Sequence, residues 1–199
     1  MNLDAIAQIA RARLADARSH AWKERGNKYT HGRRVAKLAL TLRRGLFPDD
    51  ASGDEVLTVA AWFHDICNGA ENHCELGANE TRLLLADAVS PPELDEICAI
   101  IAVHDERGLA GLSAAARLHQ DADILDHAGI DFLRVHFLAG IEYDETIDES
   151  LDWLRGNYLP WETKARGELH FEPSREIFDE KSAFMRGVIE RMNGEYDFS

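Results

Sequence analysis

Residues 60–69 read AAWFHDICNG, and the reading of this stretch decides the fold. An apolar run suited to a protein interior ends in an adjacent imidazole and carboxylate, His64 and Asp65. Burying an unpaired carboxylate costs several kcal/mol, so a compensating charge must lie nearby. A metal ion supplies such a charge. The dipeptide alone carries little weight: nine His and eighteen Asp in 199 residues give about 0.8 such pairs by chance, and the chain has two, the second being His104-Asp105.

Working outward, the periodicity is helical almost everywhere. Ser52 followed by Glu55 has the form of a capping box and opens a helix through Val56, Val59, Ala60 and Phe63, which His64-Asp65 terminates and Asn68-Gly69 stops. Upstream lie the stripe Leu3, Ile6, Ala10, Leu14 and the stripe Val35, Leu38, Leu42, with Thr30 placed to cap the second. Downstream, Asn72 with Glu75 opens a helix carrying Leu76, Leu83 and Leu84. Ser90-Pro91-Pro92-Glu93 opens another whose stripe is Ile97, Ile100, Ile101 and His104, the histidine continuing an apolar face. Ser113 starts the helix LSAAARLHQDADILDHAG, which Gly129 ends, and Asp131 to Tyr143 follows as a strongly apolar helix. From Asp144 to Phe171 the pattern is mixed: a short helix around Leu151 and Leu154, then NYLPWETKARGELHF, which reads as a loop. Ser174 begins a final helix through Ile177, Phe178, Phe184, Met185 and Ile189. With no strand run, repeat or low-complexity linker, the expectation is an all-α helical bundle forming a single domain over residues 1–199.

Composition limits the function. A formal charge of −14 argues against a footprint on polymeric nucleic acid, which needs many phosphates neutralised by clustered Lys and Arg. A small anion still binds where a metal or a few local cations reverse the sign. No segment approaches the roughly 18 uninterrupted apolar residues of a membrane span, and the amphipathic N-terminus does not read as a secretory signal. A cytoplasmic protein with no membrane partner is expected. Cys67, Cys74 and Cys98 show no CxxC spacing and are odd in number, so they are read as packing thiols rather than a disulfide framework or a thiolate zinc site.

Polar ligating residues recur at helix ends and faces: His31, His64, Asp65, His73, His104 and Asp123. Ligands drawn from several packed helices can converge inside a bundle, which is how such folds build metal sites. Imidazoles with carboxylates suit Mn, Fe or Mg, with Ni or Zn less selective. A divalent ion there lowers the pKa of bound water and polarises a phosphoryl oxygen. Asp65, with two oxygens, is the natural bridge if two ions bind.

The order His31, then His64-Asp65, then Asp123 within DADILD resembles the HD-domain superfamily of metal-dependent phosphohydrolases, which carry H…HD…D. THGRRVAKLAL is similar to the family's first-ligand helix, WFHDICNG to its HD turn and HCELGANETRLLL to the segment that follows. GELHFEPSREIFDEKSAFMRGVIERM resembles the tail of small bacterial stand-alone HD hydrolases. The resemblance implies an HD-domain helical bundle with a metal-binding core over about residues 25–130 and a C-terminal helical extension over about 144–199. It implies His31, His64, Asp65 and Asp123 as metal ligands, with Asp123 preferred to Asp121 because Ala122 to Asp126 matches the family's pattern. His73 and His104 fall where two-metal members place extra histidines, although Asp105 stands where a second adjacent histidine often follows. In a one-metal site they would instead contact phosphate or act as a general acid.

Plainer readings compete at the remaining positions. His20, His119, His127, His136 and His170 are read as surface or core residues, and Cys67 as a packing residue. Arg33, Arg34 and Arg107 are candidates for bidentate phosphate contacts or for solvated charge. Lys164, Arg166, Arg175 and Lys181 are candidates for a substrate entrance, and Trp153, Tyr158 and Trp161 either stack a base or cover the core. The implied activity is hydrolysis of a phosphate ester or phosphoanhydride in a small phosphorylated substrate, a nucleotide foremost, by metal-activated water with one or two ions. The alternatives are an HD-fold di-iron oxygenase and a non-catalytic nucleotide-binding sensor. A homodimer is left open.

Overall fold

The computed structural model describes residues 1–21 and 23–196, and among these the regular structure is entirely helical. The helices are α1 (Leu3–Leu14), α2 (Asn27–Leu46), α3 (Asp54–Phe63), α4 (His73–Leu85), α5 (Pro91–Ala102), α6 (Ala114–His127), α7 (Ile130–Glu142), α8 (Ile147–Glu168) and α9 (Glu172–Tyr196). An antiparallel bridge between Arg18 and Arg25 closes the loop after α1. No helix of the described residues is long and apolar enough to cross a membrane. The chain divides into two compact units, Met1–Asp123 and Ile124–Ser199.

In the first unit α3 is the central element, packed against α1, α2 and α5, while α4 pairs with α5. The cause is composition: Val56, Leu57, Val59, Ala60, Ala61 and Phe63 are all buried, so α3 is apolar on nearly every side and must be surrounded. Its neighbours contribute Ile6, Ala10 and Leu14 from α1 and Leu94, Ile97, Ile100 and Ile101 from α5. Two glycines set the approach of α2 and α4 to the end of α3. A Cβ on Gly32 would lie 2.7 Å from the Ala61 carbonyl oxygen, and one on Gly77 would lie 3.3 Å from that of His64. Side-chain-free positions therefore seat α2 and α4 directly on the end of α3, on either side of the His-Asp turn.

The α2–α3 junction is fastened at its other end by a bidentate ion pair. Arg43 Nε donates to Asp54 Oδ1 at 2.6 Å, Nη2 donates to Oδ2, and Nη1 reaches the Phe47 carbonyl at 3.3 Å. The side chains are 10% and 24% exposed, so the pair is largely desolvated. Arg43→Met leaves Asp54 without its partner and is expected to cost about 2 kcal/mol, below the full penalty of a buried pair because Asp54 retains some solvent. Urea unfolding with an unchanged m-value measures it.

Several caps differ from expectation. Ser52 Oγ bonds Asp50 at 2.6 Å rather than closing a box with Glu55, and Gly53 occupies the cap of α3 without a side-chain bond. Asn72 precedes α4 in the left-handed region, φ 56°, again with no side-chain cap. Helix α2 begins at Asn27, so Thr30 lies inside it and donates to the Gly26 and Asn27 carbonyls. Helix α5 ends at Ala102, which puts His104 in the turn beyond it rather than on its face.

The second unit corrects the sequence reading over residues 144–171. The expected loop is helix: α8 runs unbroken from Ile147 to Glu168 with Pro160 inside it. Its start is a full capping box between Thr146 and Glu149. Pro160 removes one helical hydrogen bond and its ring crowds the backbone carbonyl four positions back, that of Gly156, a cost the helix carries without breaking. Phe132 packs on Trp161 at 4.6 Å and on Tyr158 at 5.1 Å between ring centroids, and Trp161 continues to Phe178. These aromatics form the apolar interior of this unit with Leu151, Leu154 and Met185. Trp153, 43% exposed, stacks on His136, whose Nε2 is satisfied by the Ser150 carbonyl at 2.8 Å.

Candidate metal centre

The end of α3 gathers the ligating side chains of the first unit. His64 caps the helix, is 1% exposed, and has Nδ1 2.9 Å from the Ala61 carbonyl oxygen. That bond places the ring proton on Nδ1 and leaves the Nε2 lone pair for a ligand. His31, on α2 immediately before the close-approach Gly32, brings its Nε2 to 3.1 Å from His64 Nε2. Asp123, from α6, sets Oδ1 3.2 Å from His31 Nε2 and 3.7 Å from His64 Nε2. Asp65 divides its oxygens: Oδ2 lies 4.0 Å from His31 Nε2, and Oδ1 lies 3.7 Å from His64 Nε2 and 3.8 Å from His104 Nε2.

This donor set fits a divalent cation. Adjacent ligand atoms around an octahedral ion with bonds of about 2.1 Å stand about 3.0 Å apart, close to the separation of the two imidazole nitrogens. His31, His64 and Asp65 each offer an atom within 4.8 Å of the other two.

Electrostatics agree. Burial pulls the His64 pKa down to about 4, so the imidazole is neutral at pH 7, as a ligand must be. Burial resists ionisation of Asp65, but the histidines around it outweigh that and hold its pKa down at about 2. With His64 discharged above pH 4, Asp123 faces the Arg107 guanidinium at 3.1 Å, and a further positive charge sits on His104. Burial opposes that charge, yet the Cys74 hydrogen bond and Asp123 outweigh it and lift the His104 pKa to about 9. His104 Nδ1 donates to the Ile101 carbonyl at 2.7 Å, the same i−3 arrangement that orients His64.

The sequence model of the HD domain matches residues 29–128, half of the chain. The chain belongs to the HD-domain family. No curated protein sequence matches it. Solved structures share its fold: an HD-superfamily hydrolase from Bacillus thuringiensis superposes with a TM-score of 0.73 at 20% identity, covering 99% of this chain and 97% of that one. Bacillus subtilis YpgQ in complex with ADP gives 0.71 at 19% identity, covering 98% and 95%. A predicted HD-superfamily hydrolase from an uncultured Thermotogales bacterium gives 0.64 at 20% identity, covering 98% and 92%.

Within this HD domain, the six candidate residues singled out in the sequence form a chain of neighbours, with His73 5.1 Å from His104 between ring centroids and His104 Nε2 3.8 Å from Asp65 Oδ1. Asp123 presents its carboxylate to His31 and His64. Asp105, following His104, is 58% exposed and lies 3.7 Å from Arg107. Arg107 donates Nη2 to Asp123 Oδ2 at 3.1 Å and Nη1 to the Gln120 carbonyl at 3.4 Å, so it holds the Asp123 carboxylate. Arg34 is half-buried on α2, three residues after His31. Lys164 lies on α8 in the second unit, exposed and 3.8 Å from Glu168. Arg166 pairs with Asp179, Arg175 with Glu172, and Lys181 donates to the Leu125 carbonyl.

Two residues of the site escaped the sequence reading. Gln120 Nε2 donates to the carbonyls of Val103 at 2.6 Å and Glu106 at 3.3 Å, tying α6 to the turn that carries His104 and Arg107. His119 is fully buried, with its ring 4.9 Å from that of His64, and among the described residues neither of its nitrogens has a hydrogen-bond partner. Burial keeps it neutral, its pKa well below the ordinary value. It lies four residues before Asp123 on α6, a helical spacing that the sequence does show, although it cannot say which face is the wet one.

Proposed function

We propose that this HD-domain protein is a metal-dependent phosphohydrolase acting on a nucleotide or another small phosphorylated metabolite. The observation that carries the reading is the meeting of His31 from α2 with His64 and Asp65 from the turn that caps α3, their ligand atoms within 4.8 Å of one another, and with Asp123 from α6, whose Oδ1 is 3.2 Å from His31 Nε2 and 3.7 Å from His64 Nε2. An ion held by those four residues supplies Lewis acidity and an activated water. The chain supplies the rest. The Ala61 carbonyl fixes the His64 tautomer, Arg107 and Gln120 hold Asp123 and the His104 turn in place, and Arg34, three residues after His31 on α2, is the candidate contact for a phosphate oxygen. His73 and His104 either hold a second ion or pass a proton to the leaving oxygen. The ADP complex of the structurally similar YpgQ supports a nucleotide as ligand.

Protein loaded with Mn²⁺ is expected to release phosphate or pyrophosphate from at least one member of a panel of nucleoside mono-, di- and triphosphates. Stoichiometric metal binding with no turnover of any member, under Mn²⁺, Fe²⁺, Mg²⁺, Ni²⁺ or Zn²⁺, overturns the reading.

A further inference from the structure

Three cysteines sit in three chemical environments. Cys98 is buried and spends its S–H on the Ala78 carbonyl at 3.3 Å, as a packing thiol does. Cys67 is half-buried in the turn after Asp65, and among the described residues no three-residue ligating group includes it. Cys74 is different. Its Sγ lies 3.5 Å from His73 Nε2, and His73, Cys74 and His104 offer ligand atoms that all lie within 4.8 Å of one another.

We propose that His73, Cys74 and His104 form a second, mixed thiolate–imidazole cation site, and that it takes an ion of the zinc, cobalt or iron(II) class. The spacing supports a metal. In a tetrahedron with metal–nitrogen bonds of about 2.05 Å and metal–sulfur bonds of about 2.3 Å, nitrogen and sulfur ligands stand about 3.5 Å apart, the separation of His73 Nε2 and Cys74 Sγ. The tautomer supports it too. His104 commits Nδ1 to the Ile101 carbonyl, which leaves Nε2 as its ligating atom. On coordination the thiol and His104 give their protons to solvent, and the thiolate charge then sits in the first turn of α4, where peptide dipoles favour an anion.

The two sites share an edge. His104 Nε2 is 3.8 Å from Asp65 Oδ1, and the same oxygen is 3.7 Å from His64 Nε2, so Asp65 lies between them as a bridging carboxylate. This part rests on the proposed reading that the first cluster holds an ion. The thiolate itself changes the metal preference. A hard oxygen-seeking ion such as Mg²⁺ gains little from sulfur, whereas a borderline ion gains both affinity and selectivity. His73 and His104 then act as ligands rather than proton donors.

Cobalt titration of the metal-free full-length protein tests this without any substrate. A thiolate-to-cobalt charge-transfer band is expected in the near ultraviolet, growing as the second equivalent binds. Cys74→Ser is expected to abolish that band, to leave the weaker visible bands of the first equivalent, and to lower zinc affinity for the second equivalent at least about tenfold. Cys67→Ser and Cys98→Ser are expected to retain it. Far-ultraviolet circular dichroism verifies the fold of Cys74→Ser, with Cys74→Ala as a second variant. A wild-type spectrum with no such band, or one that survives both Cys74 variants, overturns the site. A band that behaves as expected in a protein inactive on every nucleotide overturns the hydrolase reading and leaves this site standing.

Discussion

Asp65→Ala is expected to abolish ion binding at the His31–His64 cluster and, with it, phosphate release. Asp65 is the residue whose two oxygens are shared among three imidazoles, with distances of 3.7 to 4.0 Å to His64, His104 and His31. Loss of an outer-shell partner of a metal ligand costs about 10- to 100-fold in affinity; loss of the ligand exceeds that range, and activity falls at least about 1000-fold because no activated water forms near pH 7. The test that separates metal loss from misfolding is thermal. An ion at about 100 times its dissociation constant stabilises the folded state by about 2.7 kcal/mol, which for a chain of this size raises Tm by about 5–10 °C. Wild-type protein is expected to show that rise with Mn²⁺ and the variant to show none, with the metal-free melting temperatures close together. An unaltered metal-induced rise in Asp65→Ala contradicts the assignment.

The all-α class was legible in the sequence because apolar spacing is a direct image of helix geometry: the stripes of α1, α2, α3 and α5 are the faces that are buried. The cluster was legible for a different reason. His64-Asp65 ends an apolar helix, where only a site or an ion pair compensates a buried carboxylate, and the H…HD…D order supplied its partners. What escaped depended on information that spacing does not carry. The stretch NYLPWETKARGELHF read as a loop, yet it is helix in spite of Pro160, and its aromatics pack on Phe132 of α7, a contact that spacing within the stretch does not show. Ser52 and Asn72 have capping chemistry, but Ser52 bonds Asp50 and Asn72 adopts a left-handed backbone, so the caps fell elsewhere. Cys74 lacked a second thiol at metal-ligand spacing and so read as packing; its partners are an adjacent histidine and His104, thirty residues on. Polar residues such as His119 and Gln120 sit on the buried side of α6, and sequence order alone does not distinguish that side from a wet one.

Gly32→Ala is expected to destabilise the protein and to cut activity, although alanine is the better helix former by about 1 kcal/mol. The added Cβ would lie 2.7 Å from the Ala61 carbonyl oxygen, 3.0 Å from that of Trp62 and 3.1 Å from the Trp62 Cα. All three are backbone atoms of α3, so no side chain can rotate to make room and α2 must move away. Overpacking of this kind costs about 1–3 kcal/mol, enough to reverse the propensity gain and lower Tm by several degrees. The functional effect is larger. His31 precedes Gly32, and the Ala61 carbonyl that the methyl group strikes is the one that orients His64, so the displacement falls on the 3.1 Å contact between the two imidazoles. A misplacement near 1 Å costs about 100-fold in rate, and kcat/KM is expected to fall by about that factor. Gly45 on the same helix is the control. It is exposed with open space around its Cβ position, so Gly45→Ala is expected to stabilise by about 0.5–1 kcal/mol and leave turnover unchanged. Opposite signs for one substitution at two positions of α2 locate the effect in the contact with α3; equal, stabilising effects at both would mean that the helices do not meet at Gly32, and that His31 and His64 are not held together by it.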